Sequence, residues 1–138
     1  MFNSTADIAR LSVFVPGPLV NPMNGSHGHW AKHARWARTW RERAYLALFR
    51  DFMERRHLGS GPRMADGRVP KRITFLAQTG ARWDDDNLRA GMKPIRDALK
   101  DAGIIHDDGP ASGHTFCYEQ IVNRKERGVQ ITVELRDA

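Results

Sequence analysis

The sequence predicts one α+β domain over residues 1–138. It has a small mixed or antiparallel sheet, two main helices and the element order β-α-β-α-β-β. Three observations lead there. The chain has 138 residues, 41% of them hydrophobic and 28% charged, enough apolar matter for one core and too little for two. Three short segments carry the apolar alternation of half-buried strands, and a fourth, 114–122, also reads as a strand. The last two, 114–122 and 129–135, are separated only by a polar stretch at 123–128. That stretch reads as a basic hairpin loop and makes part of the sheet antiparallel.

Residues 8–15 form the first strand, with Leu11, Val13 and Val15 on one face, and Pro16-Gly17-Pro18 ends it. Residues 30–57 contain no glycine or proline and are rich in Ala, Arg and Leu, the composition of a long helix. Trp36, Trp40, Ala44, Leu48 and Phe52 recur every four residues and form its apolar stripe. Residues 58–71 hold three glycines and two prolines and read as a loop. Residues 72–78 are the second strand, with Ile73, Phe75 and Ala77 facing the core. The second helix starts at Asp86 or Asn87, both good N-caps, and ends near Ala102 with Gly103 at the C′ position. Pro94 kinks or breaks it. Residues 114–122 and 129–135 complete the sheet.

The net charge is +6 and the sequence pI near 10.1, a balance that points to a polyanion such as nucleic acid. The one cysteine, Cys117, excludes an internal disulfide framework and multi-cysteine metal sites. It fits a reducing cytoplasm and reads as a small core residue. No apolar run approaches a membrane span, and residues 1–10 lack a signal-peptide pattern. The expected location is cytoplasmic, with no membrane partner. Residues 30–63 carry nine Lys/Arg against three Asp/Glu, so the whole excess lies in that segment. By contrast, seven of the eleven aspartates fall between Asp84 and Asp108.

Crowded carboxylates repel one another, and a bound cation is one reason to tolerate them. Asp84 and Asp86 are two apart, so in extended chain both point to one side. Such a pair suits Mg²⁺ or Mn²⁺, which take oxygen ligands and keep several waters. A third carboxylate from Asp107-Asp108 joins the pair if the chain doubles back after the helix. Such a site activates water and stabilises a phosphoryl transition state. The same run also reads as a helix cap that complements the dipole. An EF-hand does not fit, because its glycine and glutamate positions are Arg89 and Ile95 here.

Asp84-x-Asp86-Asn87-Leu88, then Lys93-x-x-x-Asp97-Ala98-Leu99, then Ala102-Gly103-Ile104-x-x-Asp107-Asp108 resembles the core signature of the RusA family. These are phage and prophage endodeoxyribonucleases that resolve Holliday junctions. The resemblance covers most of the chain in element order, with about 25 residues carrying motif content. It implies a RusA-like nuclease domain, a homodimer, branched DNA as substrate and Mg²⁺ or Mn²⁺ as cofactor. It further implies Asp84, Asp86 and Asp108 as metal-binding carboxylates, with Asp107 the alternative to Asp108, and Lys93 as the essential lysine. The family often places that lysine four residues after the second aspartate, where this chain has Ala90. Lys93 matches instead by its spacing to Asp97-Ala98-Leu99. Asp86 and Lys93 are seven apart and share a helix face, and Arg89 is the rival for the lysine's role.

Lys32, Arg35, Arg38, Arg41, Arg43 and Arg50 stud the first helix and suit phosphate contacts, although basic residues also serve as a plain solvated face. Arg124, Lys125 and Arg127 offer a second phosphate contact. Trp36 and Trp40 read as core or dimer interface, and Trp30 as a base-stacking candidate. His27-x-His29-x-x-x-His33 reads as polar loop more readily than as a zinc site, and His106 as a surface residue beside the carboxylates. Two rival functions stand beside the nuclease: a non-catalytic DNA-binding module, in which the acidic run is only a cap, and a nucleotide phosphohydrolase. Against the latter, the aspartates follow 80–83 and do not sit directly at the strand end.

Overall fold

The computed structural model describes residues 10–20, 30–57 and 62–136, with the side chains at 30, 31, 52–57 and 62 left out. In chain order the elements are β1 (Arg10–Pro16), α1 (Trp30–His57), a one-turn α2 (Pro62–Ala65), β2 (Lys71–Thr79), α3 (Asp85–Gly91), α4 (Lys93–Asp101), a 3₁₀ turn (Pro110–Ser112), β3 (Thr115–Val122) and β4 (Gly128–Leu135). Four strands make one mixed sheet in the order β1-β4-β2-β3. β4 is antiparallel to both β1 and β2, whereas β2 and β3 are parallel. Strands β1, β2 and β3 therefore run one way and β4 the other.

The alternation read from the sequence sets the core. Leu11, Val15, Ile73, Phe75, Ala77, Val129, Ile131 and Val133 bury one face of the sheet. Trp40, Ala44 and Leu48 of α1 pack there together with Ile95, Ala98 and Leu99 of α4. Of the two tryptophans in the stripe, Trp40 is thus a core residue. Trp40 is buried and its indole Nε1 donates to the Pro18 carbonyl at 3.0 Å, and Trp36 packs at the core's margin. The side chain of Phe52, the last residue of the stripe, lies outside the described set.

Three expectations need correction. First, β3 and β4 are not a hairpin, because β2 lies between them. The 123–127 connection crosses the strand ends, where Asn123 N–H donates to the Thr79 carbonyl (2.9 Å) and Gly17 N–H to the Arg127 carbonyl (3.0 Å). Alternation identifies a strand and its buried face but not its neighbour. Second, the second helix starts at Asp85, with Asp84 as N-cap, and the break expected at Pro94 comes at Met92, between two helices. Pro94 sits in the first turn of α4, where its missing N–H costs nothing. Third, the stretch 58–71 is not all loop. α2 puts Met64 into the core, and Lys71 already belongs to β2. Gly103 follows α4 at φ +75°, the left-handed conformation that glycine adopts without strain.

Candidate functional site

The acidic run is held at one end of the sheet by ties from β3. The Gln120 side chain brackets the Trp83 backbone, accepting from its N–H at 2.9 Å and donating to its carbonyl at 2.7 Å. The Trp83 ring is buried. The Thr79 hydroxyl donates to the Ala81 carbonyl (2.8 Å), and Arg124 Nε to the Gly80 carbonyl (3.2 Å). The chain therefore leaves the sheet at a fixed point, and Asp84 begins the turn into α3. Asp84 is the N-cap, but its carboxylate makes no capping hydrogen bond. Its carbonyl accepts the first intrahelical bond, from Leu88 N–H at 2.9 Å. Asp84, Asp85 and Asp86 are exposed, and among the described residues no hydrogen bond or ion pair engages their side chains. The α3 dipole favours negative charge there, but the three carboxylates stay open to an outside partner.

The second half of the acidic knot is engaged. One Asp108 oxygen meets Lys93 Nζ at 3.3 Å and Arg96 Nε at 3.5 Å, and the other meets Lys100 Nζ at 3.4 Å. Burial pushes the Asp108 carboxyl up, but the ammonium groups of Lys93 and Lys100 outweigh it and hold the pKa below the usual carboxylate value. Lys93 also donates to Asp97 at 3.0 Å, which together with Asp108 raises its pKa above the ordinary lysine value. Lys93 is therefore a fully charged ammonium on an exposed helix start. Asp107, the alternative to Asp108, is exposed.

Lys93 and the basic helix share a groove of about 280 Å³ between α1 and α4, lined by Arg38, Arg41, Lys93 and Asp97. Three of these four, Arg41, Lys93 and Asp97, are already paired. Arg41 makes a two-pronged bond to Asp101 at 2.6 and 2.8 Å, which raises the arginine and lowers the aspartate pKa. Its charge is largely committed to α4. Lys32, Arg35 and Arg38 are exposed, without ion pairs among the described residues. Arg43 lies over the Trp40 ring at 5.2 Å. At the sheet end, Lys125 is exposed and its N–H donates to Asn123 Oδ1 at 3.2 Å.

Arg89 is exposed on α3, and its guanidinium carbon lies 5.3 Å from the centre of the Tyr118 ring. Sequence reasoning missed Arg96, Tyr118 and Gln120. The first had a signal, because Arg89 and Arg96 are seven apart on one helical face. The other two are half-buried on β3, where the sequence carries no mark of what they touch.

Among the described residues no group of three or more His, Cys, Asp or Glu side chains could hold a metal ion, and Asp84, Asp86 and Asp108 do not form one. The open pair Asp84 and Asp86 has the hard oxygen donors that Mg²⁺ or Mn²⁺ take, and these ions commonly use one or two carboxylates plus phosphate oxygens and water. Asp108, with both oxygens on cations, is placed to act on Lys93. His27 and His29 lie outside the described residues, as does the side chain of Trp30. His106 Nδ1 sits 3.3 Å from the buried His114 Nε2, turned toward the fold's own loops. Cys117 is a half-buried free thiol on β3. No helix among the described residues is long and apolar enough to cross a membrane. No protein-family model matches the chain, and no curated protein matches it. The likeness to the RusA family rests on the motif residues themselves.

Proposed function

We infer that the protein is a metal-dependent, structure-selective DNA endonuclease that cuts four-way junctions by phosphodiester hydrolysis. The observation that carries this reading is the position of Lys93, which meets Asp108 and also lines a groove with Arg38 and Arg41 of the basic helix. The basic helix, the motif lysine and the later acidic pair therefore meet through this one side chain. Asp84 and Asp86 are the residues that would hold Mg²⁺ or Mn²⁺. The bound ion would supply an activated water and offset charge on the scissile phosphate. Lys93, oriented by Asp97 and Asp108, donates to a non-bridging or leaving oxygen as negative charge builds there. Lys32, Arg35, Arg38, Arg124 and Lys125 hold backbone phosphates without reading sequence. A homodimer would present two such sites to the two-fold symmetry of a junction.

The ion pairs around Asp108 also favour a second reading, a non-catalytic DNA-binding module, because a carboxylate held by three cations is not free to bind metal. Incubation of the protein with an immobile four-way junction and a matched linear duplex, in Mg²⁺, Mn²⁺ or EDTA, separates the two. Paired nicks in the junction alone, abolished by EDTA, are expected of the nuclease. Binding with no product in either metal would leave the binding module.

A further inference from the structure

A cleft of about 340 Å³ lies between the α3–α4 pair and the edge strand β3, with Arg89, Arg96, Asp108, Pro110, Phe116 and Tyr118 on its walls. Its two arginines differ. Arg96 is spent inside the fold. It donates to the Arg89 carbonyl at 2.9 Å and to the Tyr118 hydroxyl at 2.8 Å, stacks 5.7 Å from the Tyr118 ring centre and meets Asp108. Arg89 is exposed, rests on the same ring at 5.3 Å and has no carboxylate partner among the described residues. A planar cation laid on an aromatic ring is preorganised, and its N–H edge remains free for a phosphate. Phe116 and Pro110 add an apolar wall. The Phe116 ring is backed by Phe75, parallel to it within 2° at 6.3 Å, so a flat ligand would meet a surface that does not yield.

We propose that this cleft takes one unpaired nucleotide of the DNA, its base against Phe116 and Pro110 and its phosphate on Arg89. The chemistry matches on three counts. The volume is that of a small-ligand pocket, and one nucleotide is of that order. An apolar aromatic wall suits a base, whose π-face any sequence supplies. The uncompensated guanidinium suits a phosphate. A paired base inside a duplex cannot reach the wall, whereas an unpaired base at a branch point or bulge can. Asp86 lies three residues before Arg89, one turn away on α3, so a phosphate on Arg89 sits beside the open carboxylate pair. The inference rests on the nuclease reading for its substrate and adds how that site tells branched from linear DNA.

The test is a binding titration in EDTA, where no cutting interferes. Three labelled duplexes are compared: one with a single unpaired nucleotide, one with an abasic residue at that position, and one fully paired. A deoxynucleoside monophosphate serves as competitor. The unpaired base should tighten binding by about tenfold or more over the abasic duplex, as one base–aromatic stack does elsewhere. Arg89→Ala, at an exposed position, and Phe116→Leu, which keeps the wall apolar but removes the flat ring, should each erase most of that preference. Thermal unfolding verifies that both variants are folded. Equal binding of unpaired and abasic duplexes, a preference that survives in both variants, or no binding to any duplex would overturn the inference. A mononucleotide that competes as strongly as the DNA would also overturn it, by assigning the cleft to free nucleotides. Junction cutting without a base preference would sink only the cleft. A base preference without cutting would sink only the nuclease.

Discussion

Lys71 has no exposed surface, and its ammonium donates to the carbonyls of Asp66, Val69 and Ile104 at 2.5, 3.4 and 2.9 Å. It ties the loop before β2 to the loop after α4, so the position of 106–108 depends on it. Burial lowers its pKa from 10.5 to about 8, against the opposing pull of Asp66. Between these values the unfolded chain binds more protons than the folded one, so stability from this group rises as pH increases from about 8 toward 10.5. Urea unfolding across that interval should show the rise, and Lys71→Met should flatten it. His114 works in the acid range. Burial lowers its pKa below 6.5, although the Gly67 carbonyl pulls it up. Its contribution is complete above pH 6.5 and is lost as pH falls through and below that value. His114→Gln should remove that acid-side loss. Neither residue stands out in sequence. A lysine at a strand start reads as solvated, and only the three carbonyls converging from separate loops make it structural.

At the scale of elements, the helix that carries Lys93 is positioned by its buried face. Leu99 is completely buried between α1 and the sheet. Leu99→Ala should cost about 2–5 kcal/mol, the usual range for an emptied core leucine, read as a lowered urea midpoint with unchanged slope. Helices and strands were legible because their signals are local. The glycine- and proline-free run 30–57 is α1, alternation marked β1, β2 and β4, and Pro94 foretold the break between α3 and α4. Pairing was not legible. β4 has buried residues on both faces, including Thr132 at 8% exposure, whereas the end of β3 leaves Ile121 and Val122 about half exposed. Those facts make β4 central and β3 an edge, yet neither sequence names the strand it pairs with. The acidic run shows the same split. Its place before a helix could be read from Asp84 to Asn87, but not that Asp84 would be the N-cap with its carboxylate unused, nor that Asp108 would be held by three cations.

Over the whole molecule, the charge excess of residues 30–63 lies on a helix whose outward row, Lys32, Arg35 and Arg38, faces solvent, while Arg41 is neutralised by Asp101. DNA affinity should therefore depend steeply on salt. Arg38→Gln should lower the slope of log Kd against log salt by about one, the share of one phosphate contact. Arg41→Gln should change it less and cost stability instead. Titrations at several salt concentrations check both. The long helix and its charge were plain in the sequence, but which of its arginines remain free depends on α4 packing beside it.

The most direct test of the account is the rate at which Asp86→Asn cuts a labelled four-way junction in Mg²⁺, set against the unaltered protein and with equal junction binding established first. Asp86 is exposed and unpaired, so the substitution leaves the fold intact and removes one carboxylate charge. The nuclease account predicts a fall of about 100-fold or more, beyond what a supporting residue causes. Cutting at an undiminished rate would contradict it and take the active site away from the start of α3.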